Sequence, residues 1–401
     1  MKVFPITSEE PLKGASLASL IPPPLSVYIH FPWCVKKCPY CDFNSHALKK
    51  GILDKELENN YLDTLALDLE TQLPFIWKRP IRSVYIGGGT PSLLSARGMY
   101  KLLNTLYTLL PLNPKTEITA EVNPGTALEE HFIAYKDAGI TRLSIGVQSL
   151  NDKALQHLGR IHRKEEALRT LEWAQKHFSR VNADLMYALP LQTPQEAEND
   201  IDNLIQTGVG HISAYELTLE PHTSFYRTPP TLPSEKTSET IENIVRKKLE
   251  NAGFHRYEIS AYSQPEQQSL HNLNYWLFGD YIGLGAGAHG KITFKETIQR
   301  TYHARGPGTY EKSVRERDFL LNFQREIAPE DRCGEFMMNA LRLVQGFDLK
   351  LYEERTGLSL TSLNVPLKRA IDQGLITLNL THVTPTFLGL RYLNDLITLF
   401  L

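Results

Sequence analysis

Between Leu25 and about Leu219 the chain alternates short β-rich runs with longer stretches whose apolar residues recur at helical spacing. The runs Ser26–His30, Ser83–Ile86, Glu117–Glu121, Arg142–Gly146, Val181–Met186 and His211–Leu217 predict six strands. Leu57, Tyr61, Leu65 and Leu69 predict a helix after the first, and Leu102–Leu110 one after the second. Six β–α repeats imply a parallel sheet with right-handed crossovers, hence the α/β class and a full or partial (β/α) barrel. In such a barrel the strand C-termini share one cavity. Here they carry Cys34 to Cys41, Gly87 to Thr90, Glu121 with Asn123, Gln148, Asp184 and Glu216. Any one of these could cap a helix; six in succession predict a rim.

A helix follows over Ser234–Asn251, then a strand over Arg256–Tyr262. The glycine-rich run Gly279–Gly290 lacks a nucleotide-binding fingerprint, and its small residues suit a close approach of backbone. Thr293–Lys312 reads as a linker. From Asp318 three helical segments, a hairpin-like TLNLTHVTPTFLG and a last helix predict a winged-helix-like α+β module. The expected division is an N-terminal arm (1–24), a barrel with its extension (25–290), a linker (291–317) and the winged-helix-like domain (318–401). The third helix of that module offers only Lys368 and Arg369 as cations, which favours packing or a protein partner over nucleic acid. The apolar tail DLITLFL either closes the core or joins two copies in a homodimer; the pattern leaves both open.

Charge and cysteine content narrow the field. Forty-three basic residues against forty-five acidic ones, a net charge of −2, oppose a protein built to wrap nucleic acid. No apolar run is long enough to span a bilayer, and the proline-broken N-terminus makes a poor signal peptide. Of four cysteines, Cys34, Cys38 and Cys41 are grouped as Cys-x3-Cys-x2-Cys, which suits ligands in a reducing cytoplasm. A zinc knuckle would want a fourth ligand at similar spacing; His30 and His46 are near but complete no paired pattern. The spacing favours a [4Fe–4S] cluster with three thiolates and one open iron, able to chelate S-adenosylmethionine (SAM).

The segments YIHFPWCVKKCPYCDF, IGGGTPSLL, EVNPGT, RLSIGVQS, LGRIH and DLMYALP span most of residues 25–290. Together they resemble the radical-SAM superfamily, and within it the oxygen-independent coproporphyrinogen III oxidase-like family. The resemblance implies a six-stranded partial barrel with Cys34, Cys38 and Cys41 as cluster ligands. It places Tyr40 and Tyr28 against SAM and gives the SAM amino-acid moiety to Gly88, Gly89 and Thr90. Glu121 and Gln148 would hydrogen-bond the amine or ribose, Arg160 would meet a carboxylate, and Asp184 would share the rim.

Two departures select a branch. The oxidases resembled here continue the motif with a fourth cysteine, where this chain reads Cys41-Asp42-Phe43. His271-Asn272-Leu273-Asn274-Tyr275-Trp276 forms an HNxxYW motif. Both traits are similar to the haem-chaperone group of that family, as is the winged-helix-like end. That likeness implies haem as cargo, acceptor haemoproteins (respiratory ones among them) as partners, and an electron donor if SAM is cleaved. Histidine is the commonest proximal haem ligand, so His271 is the candidate, with His289 a lesser one. The rival expectation is a coproporphyrinogen III oxidase, since three cysteines suffice for the cluster.

Overall fold

The computed structural model describes residues 20–76, 78–316 and 324–401. Residues 1–19 of the expected arm and the boundary at 317/318 lie outside the described residues. Strands β1 (Leu25–Phe31), β2 (Ile81–Gly88), β3 (Glu117–Val122), β4 (Arg142–Gln148), β5 (Val181–Tyr187) and β6 (His211–Glu216) run side by side in parallel. Short strands β7 (His255–Arg256) and β8 (Ala261–Ser263) add antiparallel beyond β6. On the other flank β9 (Asp280–Leu284) pairs in parallel with β1. It is followed antiparallel by β10 (His289–Thr293), β11 (Ile298–Tyr302) and β12 (Gln324–Glu326). The order β12-β11-β10-β9-β1-β2-β3-β4-β5-β6-β8-β7 does not return on itself, so the sheet is mixed and the barrel partial.

The crossover helices α1 (Lys55–Ile76), α2 (Ala96–Leu109), α3 (Glu129–Ala138), α4 (Asp152–His157), α5 (Lys164–His177) and α6 (Pro194–Gln206) lie between successive strands in sequence. Helix α2 shows why they form: Met99, Leu102, Leu103 and Leu106 make one buried stripe, and Ser95 caps the start by accepting from Gly98 N. Glu58 of α1 receives both the Ser95 N–H and its hydroxyl, locking that cap to the neighbouring helix. The start of α6 is set by a capping box between Thr193 and Glu196 with Pro194 at the first turn.

Helices α7 (Ser224–Arg227), α8 (Glu235–Asn251) and α9 (Leu270–Trp276) follow, and α9 seals the N-terminal end of the strands. Glu117, the first residue of β3, accepts from Leu270 N, His271 N and the Ser269 hydroxyl, and is paired to Arg180 at 2.8 Å. This carboxylate satisfies amides that a helix start leaves open. The other end of α9 meets the C-terminal domain: Arg342 lies over the Trp276 ring at 5.2 Å, and Phe278 packs edge-on against Phe336.

Three expectations change. The glycine-rich run contains β9, a parallel strand of five buried residues. Gly283 is required within it because a Cβ there would lie 2.1 Å from the His289 carbonyl oxygen. The described part of the expected linker, 291–316, is no loop: β10 ends in it, β11 crosses it, and helix α10 (Pro307–Glu316) buries Tyr310 in the barrel core. The strand expected over 256–262 is split into β7 and β8. The C-terminal domain has helices Arg332–Ala340, Leu349–Thr356 and Asn364–Asp372 with a three-stranded antiparallel sheet, as the winged-helix-like pattern predicts. Its tail closes a core: Leu396, Ile397 and Phe400 are buried with Phe336, Leu363 and Val383. Among the described residues no helix is long and apolar enough to cross a membrane.

Candidate cluster and cofactor cavity

The loop after β1 is shaped mainly by backbone bonds. Trp33–Cys34 pairs in parallel with His46–Ala47, Cys41 N donates to Cys38 O, and Leu48 N donates to Cys34 O. The buried His30 ring holds the loop from beneath. Its Nε2 donates to Asn44 O at 2.8 Å, which leaves Nδ1 to accept from the Tyr28 hydroxyl at 2.9 Å. Burial holds the His30 pKa below its ordinary value, consistent with this neutral form. From above, the Asn44 amide donates to Ala286 O at 2.9 Å and Arg305 O at 2.8 Å.

The three loop thiols are free and half-buried, and all face one cavity of about 280 Å³. Burial pushes the Cys34 and Cys41 thiols up, with Ser45 partly offsetting this at both. Arg160 Nη1 lies 3.7 Å from Cys38 Sγ, while its Nη2 donates to Gly146 O at 3.0 Å. Its Nε is buried without a hydrogen-bond partner. A guanidinium on the cavity lining suits a carboxylate.

Opposite the thiols, β2 ends in glycines for steric reasons. Gly88 has φ +110°, and a Cβ on it would lie 2.6 Å from the His30 ring. A Cβ on Gly89 would lie 2.5 Å from the Trp33 carbonyl oxygen. The N–H groups of Gly88, Gly89 and Thr90 are committed to Glu121, Phe31 O and Trp33 O. These residues therefore offer a ligand close approach rather than donors. Glu121 accepts from the Tyr85 hydroxyl at 2.8 Å and from Gly88 N at 3.1 Å. Burial, with Asp184 nearby, raises its pKa to about 7, while those two bonds hold it down. Asp184, also raised by burial, accepts from Asn182 and Ser144. Gln148 is held at φ +67° and accepts from the Tyr215 hydroxyl at 2.9 Å, a strained rim position.

Cys34, Cys38, Tyr40, Cys41, Gly88, Gly89, Thr90, Glu121, Gln148, Arg160 and Asp184 thus line one wall-to-wall site. Tyr28 is not on its lining; it stacks beside Tyr85 and supports His30. Glu216 faces outward and Tyr215 takes its place, a one-residue shift that in a strand reverses the face. Tyr85 is a lining residue the strand pattern did not single out, although alternation with Ser83 and Gly87 sets it inward.

His271 is not brought to the cavity. It lies at the opposite end of the strands, 2 % exposed, with Nδ1 2.9 Å from the Ser83 hydroxyl and its ring stacked on Tyr85 at 4.9 Å. Burial, then Arg142, lowers its pKa to about 3. No macrocycle reaches this imidazole while α9 keeps its seat. Among the described residues no three His, Cys, Asp or Glu side chains converge as a single metal ion would need.

Residues 28–204 match the Radical SAM superfamily, and residues 327–392 match the HemN C-terminal domain. Over 94 % of its length the chain is 42 % identical to the heme chaperone HemW of Escherichia coli (strain K12), covering 98 % of that protein. The chain belongs to the HemW family. A HemW of Bacillus subtilis (strain 168) is 33 % identical over 88 % of the chain and 92 % of its own length. The fold of this HemW-family chain matches the radical-SAM coproporphyrinogen III oxidase HemN from Escherichia coli. The TM-score is 0.81 at 21 % identity, covering 94 % of this chain and 90 % of that one.

Proposed function

We propose that this chain is a haem chaperone: it holds a [4Fe–4S] cluster and SAM in the cavity, binds haem and passes it to acceptor haemoproteins in a reducing cytoplasm. The observation that carries this reading is Phe43. Where the oxidase pattern has its fourth thiol, an apolar ring stands on the cavity wall, 58 % exposed. It can neither ligate iron nor donate a proton or hydrogen atom as a thiol would. Family membership over nearly the whole chain supports the same conclusion.

The residues fit both cofactors. Three free thiols supply the donor set for a cluster with an open iron, which when bound chelates SAM and can deliver it an electron. Glu121 presents a carboxylate to an ammonium, and a cation there would draw its pKa back down. Arg160 offers its guanidinium on the cavity lining to a carboxylate while staying anchored on Gly146. Gly88 and Gly89 keep the wall thin enough for main-chain contact.

The test is anaerobic. Cluster-reconstituted protein is titrated with haemin, mixed with an apo-haemoprotein, and separately given coproporphyrinogen III, SAM and reductant. The expected result is a stoichiometric haem spectrum, haem transfer to the acceptor and no protoporphyrinogen. Protoporphyrinogen formed at enzymatic rates would overturn the reading in favour of the oxidase.

A further inference from the structure

With His271 sealed in the barrel floor, a haem-binding chain needs another axial ligand, and histidine is the commonest one. Among the described histidines, His157, His222, His255 and His289 are exposed. His289 stands apart because topology brings it to the cluster. Strand β9 is parallel to β1, so its end at Leu284 lies on the rim that carries the cysteine loop. Strand β10 runs back from that rim and β11 returns to it, which places His289 and Tyr302 opposite each other there. Their rings stack at 5.9 Å with 29° between planes. Within β10 His289 is the exposed position, the other four being buried. Arg305 is exposed on the same rim, and its carbonyl is tied to Asn44, the neighbour of Phe43.

We propose that His289 is the axial ligand of the haem cargo, at a surface site formed by Tyr302, Arg305 and Phe43 beside the cluster loop. This rests on the haem-chaperone reading and names its cargo site. Histidine commonly ligates haem iron, Arg305 can pair with a propionate, and Tyr302 and Phe43 can lie along an apolar macrocycle edge. The site would set haem next to the cluster rather than at the far end of the barrel.

The experiment titrates full-length, cluster-reconstituted wild type, His289→Ala, Arg305→Glu and His271→Ala with haemin, following the Soret band and the ferric low-spin EPR signal. Wild type should bind one haem. His289→Ala should lose at least tenfold in affinity together with the wild-type low-spin signal, and Arg305→Glu should lose severalfold while keeping that signal. His271→Ala, where its circular dichroism is native, should bind as wild type does. Unchanged affinity and spectrum in His289→Ala would overturn the ligand assignment, as would loss of the signal in natively folded His271→Ala. Wild type that binds no haem would overturn the chaperone reading itself. Because His289 is exposed, its replacement leaves the core intact, and unchanged iron content in the variant serves as the control.

Discussion

Two segments of this chain place cysteine or histidine, residue types able to ligate metal, in short motifs, and the fold treats them oppositely. The cysteine loop at the strand C-termini turns three thiols toward a cavity and is held from outside by His30 and Asn44. The HNxxYW helix at the strand N-termini turns its histidine inward, packed between Tyr85 and Tyr275. The difference follows the general division of (β/α) barrels, in which chemistry sits at the C-terminal rim and stability at the base. A histidine in a motif is thus a ligand or a keystone according to the end of the strand that receives it.

Substitutions sharpen that contrast. At the rim, Cys38→Ser should take cluster iron from about four atoms per chain to below one, read by iron assay and EPR, since three thiolates are the minimum donor set here. At the floor, His271→Ala removes a buried ring and its bond to Ser83. It should cost roughly 2–4 kcal/mol in denaturant unfolding while leaving cluster content near wild type in the folded fraction. Equal iron loss in the two variants would erase the distinction between the ends.

A smaller effect lies beside the floor, at Glu258, which is buried and bridges to Leu343 of the C-terminal domain. Burial raises its pKa from 4.5 to about 7, so the folded state holds the proton more tightly than the unfolded one. The resulting stabilisation is complete below about pH 4.5 and is lost as pH rises through 7. Between pH 5 and 8 the wild type should lose about 2–3 kcal/mol of unfolding free energy relative to Glu258→Gln. Parallel pH curves for the two would remove this carboxyl from the account. The smallest effect is expected at Phe43→Cys: stability within about 0.5 kcal/mol and the same four-iron content, because the position is exposed and the donor set is already complete.

The rim was largely legible in the sequence. Thiols, a glycine pair, acids and amides at six strand ends have few structural explanations in common, and eleven of the expected residues do line one cavity. What escaped was anything decided by packing between distant segments. Strand β9 hid in a glycine run because Gly283 answers to the His289 backbone, a contact with no local signature. The supposed linker concealed α10, whose Tyr310 is buried through a bond to Asp68, far off in the chain. The position of His271 depends on Glu117 receiving the start of α9, which periodicity does not reveal.

Asn44 ties the cysteine loop to Ala286 and Arg305, residues 242 and 261 positions later in the chain. Contacts across so long a separation form late, after the entropy of closing the intervening chain has been overcome. The ligand loop, already shaped by its own backbone bonds, gains these two outer anchors only when the segments at Ala286 and Arg305 have docked. A cluster held there would draw its outer support from segments translated long after the thiols themselves.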